Sequence, residues 1–169
     1  MKVQLVANLS ANGQLILAAQ SNAYQAPQEI SGMGFAKAIE CGNVIMGLTT
    51  YQMFASMTKD VLDTLEVVVM NPEDVEANGH TAKSAEDAVA YLEGKGFTKA
   101  CVVGGTMTFN SFLGAGLADE LFFNLFPVVI NGGGVLETAA GKTFEYTLAE
   151  AKPFGDVATL HFVKKVDAD

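Results

Sequence analysis

Two short stretches limit what this chain can become. VIMGLTTYQMF at 44–54 and CVVGGTMTF at 101–109 each open on an apolar run, meet glycine, and continue into a segment carrying threonines and aromatic residues. Each reads as a buried strand that delivers the chain through a tight turn onto a helix N-terminus. A strand buried on both faces needs helices above and below it. The junctions therefore ask for an α/β sheet, parallel in this part. In the second stretch Gly104 and Gly105 let backbone approach a ligand closely, and free N–H groups at a helix start attract anions. Thr106 and Thr108 add hydroxyls. A tight β–α turn would need the same glycines, so the residues alone leave both readings open.

The remaining segments fit that frame. VQLVANL at 3–9 reads as a strand, Asn12-Gly13 as a turn, and 14–19 as an apolar return along the surface or edge. Residues 21–33 read as a loop, 34–40 as a short helix with Phe35 and Ile39 one turn apart, and 50–57 as a helix. LEVVVM at 65–70 is strand-like and Asn71-Pro72 breaks it. Ser84 can cap a helix over 84–92, with Asp87 three residues on and an apolar stripe of Ala85, Ala88, Val89 and Leu92. A strand at 100–103 and a helix at 107–115 follow. A long strand at 121–130 comes next, irregular at Pro127. A turn at 131–134 and a hairpin at 143–152 and 157–166 close the chain. The expectation is one α/β domain over 1–169, parallel first, with helices on both faces and an antiparallel end.

Charge removes several functions. The net charge is −9, so neither nucleic acid nor an anionic membrane surface is an expected partner. All ten basic residues are lysines. An anion site must then rest on Lys, hydroxyls and backbone N–H groups, because the bidentate guanidinium clamp is missing. No apolar stretch approaches the roughly 20 residues that span a bilayer. The start, MKVQLVANLS, turns polar too early for a secretory signal, so the expected location is the cytoplasm.

Cys41 and Cys101 read as buried free thiols. LETAAGKTF resembles a P-loop ending but has Leu136 where that motif needs glycine. His80 and His161 lack metal-ligand spacing, so no metal is expected. His80 is read as a solvated loop residue and His161 as a sheet residue. Asp119-Glu120 reads as a polar strand entry. Glu29, the only acid between Met1 and Glu40, is the candidate proton donor from the first quarter of the chain.

These segments, in this order, resemble the dihydrofolate reductase-like superfamily, and within it the riboflavin-biosynthesis reductase branch. VQLVANLSANGQLIL is similar to the family's opening strand and Ser-x-Asp-Gly-x-Ile turn, with Asn12 in place of Asp. VIMGLTTYQMF is similar to its Val-Ile-Met-Gly-Arg-x-Thr segment. KACVVGGTMTFNSFLGAGLADELFFNLFPVVINGGG is similar to its Gly-Gly turn and helix, Leu-x-Asp-Glu-Leu strand and glycine turn. The resemblance implies NADPH or NADH lying across the sheet's carboxyl edge. Ala7 and Ile16 would border the nicotinamide. Gly47, Leu48, Thr49 and Thr50 would stand at the ribose and phosphates, and Lys83 near the adenosine end. Gly104, Gly105, Thr106, Met107 and Thr108 would cradle the pyrophosphate, commonly with a strained peptide between the two glycines. Asn12, Ser31 and Phe35 would meet a pyrimidine- or pterin-like heterocycle, which receives the hydride.

The chain departs from the pattern in three places. Leu48 stands where the family's arginine reads the adenosine 2′-phosphate, so the resemblance does not decide between the two dinucleotides. The proton-donating acid of the folate enzymes falls near Ser31, with Glu29 close but out of register. No arginine is present for a substrate's carboxylate, so efficient dihydrofolate reduction is not expected. The family also implies a homodimer, with the apolar 121–130 strand as a candidate contact. The alternative is a non-catalytic nucleotide-like ligand binder, or a structural subunit, on the same fold.

Overall fold

The computed structural model describes residues 1–16, 26–57, 59–71 and 80–166, with backbone alone at Met57. The elements run β1 (Lys2–Ser10), α1 (Gln28–Ser31), α2 (Met33–Cys41), β2 (Asn43–Gly47), α3 (Leu48–Met57), α4 (Lys59–Leu62), β3 (Glu66–Met70) and β4 (His80–Ala82). They continue with α5 (Ala85–Gly94), β5 (Lys99–Gly104), α6 (Thr106–Gly114), β6 (Glu120–Phe126), β7 (Tyr146–Phe154) and β8 (Val157–Lys164). The eight strands form one sheet in the order β4-β3-β2-β5-β1-β6-β8-β7. Every pairing from β4 across to β6 is parallel, and β8 and β7 join antiparallel.

Sequence explains this layering. β2 buries Asn43 through Met46, as a strand covered on both faces must. Val6, Val44 and Met46 point to one face and pack with Ala38 and Cys41 of α2 and with Tyr51 and Phe54 of α3. Leu5, Ala7, Ile45 and Val102 point to the other, against Ala85, Ala88 and Leu92 of α5 and Phe109 and Phe112 of α6. β2 and β5 are neighbours, yet α3 leaves β2 over one face and α6 leaves β5 over the opposite face. Such a divergence opens a crevice beyond the strands' carboxyl ends, where ligands of open α/β sheets bind.

Several expectations shift. The 21–33 loop contains α1 and the start of α2; its residues 21–25 lie outside the described residues, as do 17–19 of the apolar return. The long strand ends at Phe126, because Pro127 has no N–H for the ladder. His80 is not a solvated loop residue. It opens β4 and stacks on Tyr91, rings 3.5 Å apart and 1° from parallel. The short α4 and β4 carry too few residues for a readable period. Ser84 caps α5 as expected, its hydroxyl accepting from the Asp87 N–H. Cys41 and Cys101 are buried free thiols, and burial raises the pKa of each. His161 faces Glu120 at 3.2 Å and stacks on Phe122.

Asn43 is a wholly buried polar group that the sequence did not advertise. Its amide donates to the Cys41 carbonyl (3.2 Å) and the Lys99 carbonyl (2.7 Å) and accepts from the Cys101 N–H (3.2 Å). The β2–β5 ladder is recorded from Ile45 and Val102 onward, so this side chain extends it toward the strands' amino ends. Asn43→Ala orphans a buried N–H and should cost about 2 kcal/mol in urea unfolding; a loss below about 0.5 kcal/mol would contradict the assignment.

Glu66 ties β3 to α5. It accepts from the Tyr91 hydroxyl and from Lys95 at 3.0 Å, and these bonds hold its carboxyl below the usual range. A depressed carboxyl stabilises the fold above its unfolded pKa. That contribution fades as pH falls through the lower folded value. Below about pH 4.3 the thermal midpoint of the wild type should therefore fall more steeply than that of Glu66→Gln. Parallel slopes in a pH series of melting curves would refute the coupling.

Candidate functional site

The crevice at the β2 and β5 carboxyl ends is a cavity of about 520 Å³. It is lined by Gly47, Leu48, Thr49, Thr50, Met70, Asn71, Lys83, Gly105, Thr106, Met107, Thr108 and Ser111. Two helices, α3 and α6, begin in its wall. Their first N–H groups have no partner within the helix, and each helix dipole places partial positive charge at this end. Gly105 is the N-cap of α6 and supplies no side-chain cap, so those N–H groups stay available to an anion. Lys83 adds full positive charge at the β3–β4 side, and the threonines add hydroxyls.

Glycine is required by close approach. A methyl group on Gly47 would stand 2.9 Å from the Thr108 hydroxyl, which is itself buried. A methyl group on Gly105 would stand 3.6 Å from the Thr50 hydroxyl. Gly104 has φ +139, outside the range that side chains favour, and the Gly104–Gly105 peptide is cis. The wall is braced from behind. Leu15 and Gly134 exchange backbone hydrogen bonds (2.7 and 3.0 Å), and a methyl group on Gly134 would stand 2.1 Å from the Thr106 hydroxyl.

Of the residues expected at a dinucleotide, Gly47, Leu48, Thr49, Thr50, Lys83, Gly105, Thr106, Met107 and Thr108 come together in this one cavity. Gly104 is buried just behind it. Ala7 points into the core beneath α5 and α6, and Ile16 packs near Ile30, Phe126 and Val157. Met70, Asn71 and Ser111 also line the cavity, outside both glycine junctions. Ser111 was findable, lying three residues beyond Thr108 on the helix. Met70 and Asn71 enter only because β3 lies beside β2, a fact of topology.

The residues expected at a substrate lie elsewhere. Glu29 and Ser31 are exposed on α1, which Ile30 anchors on Phe126 and Val157 at the end of β6. Phe35 meets Phe54 edge-on at 4.9 Å. Asn12 donates to the Ile130 carbonyl (2.9 Å) and accepts from its N–H (3.2 Å), fastening turn 11–13 to the segment after β6. Among the described residues no group of three or more His, Cys, Asp or Glu side chains could hold a metal ion. None of the described helices is long and apolar enough to cross a membrane.

No family model and no curated protein matches the chain. Solved structures do. A Shewanella sp. PV-4 protein named for riboflavin biosynthesis superposes with a TM-score of 0.78 at 19% identity, over 98% of this chain and 100% of that one. A pyrimidine reductase-like protein from Corynebacterium diphtheriae gives 0.75 at 10% identity, over 98% and 92%. RibD of Acinetobacter baumannii gives 0.72 at 11% identity, and the match spans 98% of this chain but 58% of that one. At these identities the likeness is one of fold. The chain has the α/β architecture of these proteins, the dihydrofolate reductase-like arrangement with its antiparallel end.

Proposed function

We propose that the protein is an NAD(P)H-dependent reductase of a pyrimidine- or pterin-like small molecule. The convergence of two helix N-termini, Gly47, Gly105, the threonine hydroxyls and Lys83 on one cavity carries the reading. That donor set suits a diphosphate: neutral N–H and O–H donors at close range with one cation beside them. Gly47, Thr49 and Thr50 would hold the ribose and phosphates, and Gly105 to Thr108 the pyrophosphate. When bound, a reduced nicotinamide supplies the hydride. The chain's part is to orient, to exclude water and to deliver a proton. Glu29 on α1 is the candidate donor; Ser31 ends the same helix and Phe35 lies on α2. Asn12 would act there by holding its turn to Ile130.

Leu48 lies in the cavity wall, where an adenosine 2′-phosphate would gain nothing from it. Lys83 is the cation on hand, and a single flexible lysine gives less discrimination than a guanidinium fork. NADPH and NADH should therefore bind alike. Loss of nicotinamide absorbance on adding members of a pterin and pyrimidine panel supports the enzyme. Saturable dinucleotide binding with no turnover across the panel favours the non-catalytic reading.

The fold also bears on assembly. β6 lies inside the sheet between β1 and β8, so its edge is not open to a partner strand, while Val129 just beyond it is exposed. β7 is one of the two edge strands, with Leu148, Phe154 and the neighbouring Val163 uncovered. A cytoplasmic homodimer through that hairpin fits these apolar residues. Light scattering at micromolar concentration should give twice the chain mass, and Leu148→Lys with Phe154→Lys should halve it; a wild-type monomer would exclude the dimer.

A further inference from the structure

We infer that Asn8 and Asn124 form the polar floor of the substrate side and recognise the lactam edge of a flat heterocycle, its adjacent N–H and C=O; the inference rests on the proposed reductase reading. The two residues pair across β1 and β6 in parallel register. The Asn124 amide donates to Asn8 Oδ1 at 3.0 Å. Both share the sheet face of Val6, Phe122 and Phe126, the face covered by α1 and α2. Strand order places them beside the dinucleotide cavity: that cavity lies over β2 and β5, and β1 and β6 come next.

The pair is incompletely used. Asn124 is 1% exposed, and its Oδ1 is a buried side-chain oxygen with no donor among the described residues. Its amide nitrogen also meets Met33 Sδ at 3.7 Å, a weak acceptor on a flexible side chain. Burying an oxygen without a donor destabilises the fold, and an apolar side chain of similar size would avoid that loss. Asn8 is half-buried, so the pair reaches solvent through it. Turning both amides over preserves the bond between them and exchanges the spare acceptor for a spare donor. A donor–acceptor edge satisfies either arrangement; with the amides as they stand the spare oxygen needs a ring N–H, which N-alkylation removes while leaving the carbonyls.

The test is calorimetric titration of the whole protein, saturated with NAD⁺ to prevent turnover, with aminouracil and its N,N′-dimethyl analogue. Wild type should bind aminouracil about tenfold or more tightly than the analogue, because a polar site left unpaired rejects its ligand strongly. Asn8→Ala and Asn124→Leu should each lower aminouracil affinity by about tenfold and erase the discrimination, with dinucleotide affinity within about twofold of wild type. Melting curves confirm that each variant is folded, and Asn8→Ala, at a half-buried position, carries the test should Asn124→Leu unfold. Failure of wild type to bind aminouracil or to distinguish the two probes would overturn the inference, as would variants that bind like wild type. Failure of the reductase reading shows separately, as no dinucleotide binding by wild type.

Discussion

Gly47→Val should weaken dinucleotide binding by about a hundredfold or more, roughly 2.7 kcal/mol, measured by calorimetry on protein shown to be folded. Gly47 ends β2 at the point where α6 begins across the cavity. A single methyl group there already stands 2.9 Å from the Thr108 hydroxyl, with the Gly105 nitrogen at 3.7 Å and the Gly104 carbonyl oxygen at 3.9 Å. Valine's branches must displace the start of α6 or occupy the space a phosphate needs. Its backbone φ is not in the left-handed region, so the effect is one of contact. Gly47→Ala should give a smaller loss, ordered between wild type and valine. Equal affinities across the three proteins would show that the β2–α6 approach is no part of the binding site.

Gly134→Ala should destabilise the protein by about 3 kcal/mol and lower its melting midpoint by roughly 6–12 °C. The added methyl group would lie 2.1 Å from the Thr106 hydroxyl and 3.2 Å from Leu15 Cβ. The segment cannot simply retreat, because Gly134 and Leu15 are joined by two backbone hydrogen bonds. Gln14 also accepts from the Gly133 N–H at 3.1 Å. The remaining escape is to push Thr106, the first residue of α6, into the cavity. Removing that hydroxyl in Thr106→Ala should therefore restore about half of the lost stability, a coupling of about 1–2 kcal/mol between the sites. Strict additivity would place the strain elsewhere.

Much of this was legible in sequence because it rests on local chemistry. The buried runs ending at Gly47 and Gly104 announced strand–turn–helix junctions, and Ser84 with Asp87 announced the start of α5. Non-local facts were not legible. Asn43 looks like the second half of a Gly-Asn turn, yet it binds two strands and the end of α2. The tie between Asn12 and Ile130, and the pairing of Asn8 with Asn124, depend on β6 lying beside β1, which no local period records. His80 stacks on Tyr91 only after β4 joins the sheet edge. In the site, residues adjacent in sequence to the two glycine junctions were readable. Met70 and Asn71, brought in by a neighbouring strand, were not.

The central claim is that the cavity between α3 and α6 binds a reduced nicotinamide dinucleotide without reading the 2′-phosphate. Calorimetric titration of NADPH and NADH side by side tests it most directly. The account predicts saturable binding of both, with dissociation constants within about tenfold of each other, a difference of no more than roughly 1.4 kcal/mol. It also predicts that both are lost together in Gly47→Val. A preference for NADPH of about a hundredfold would contradict the role given to Leu48, and no binding of either dinucleotide at millimolar concentration would contradict the site itself.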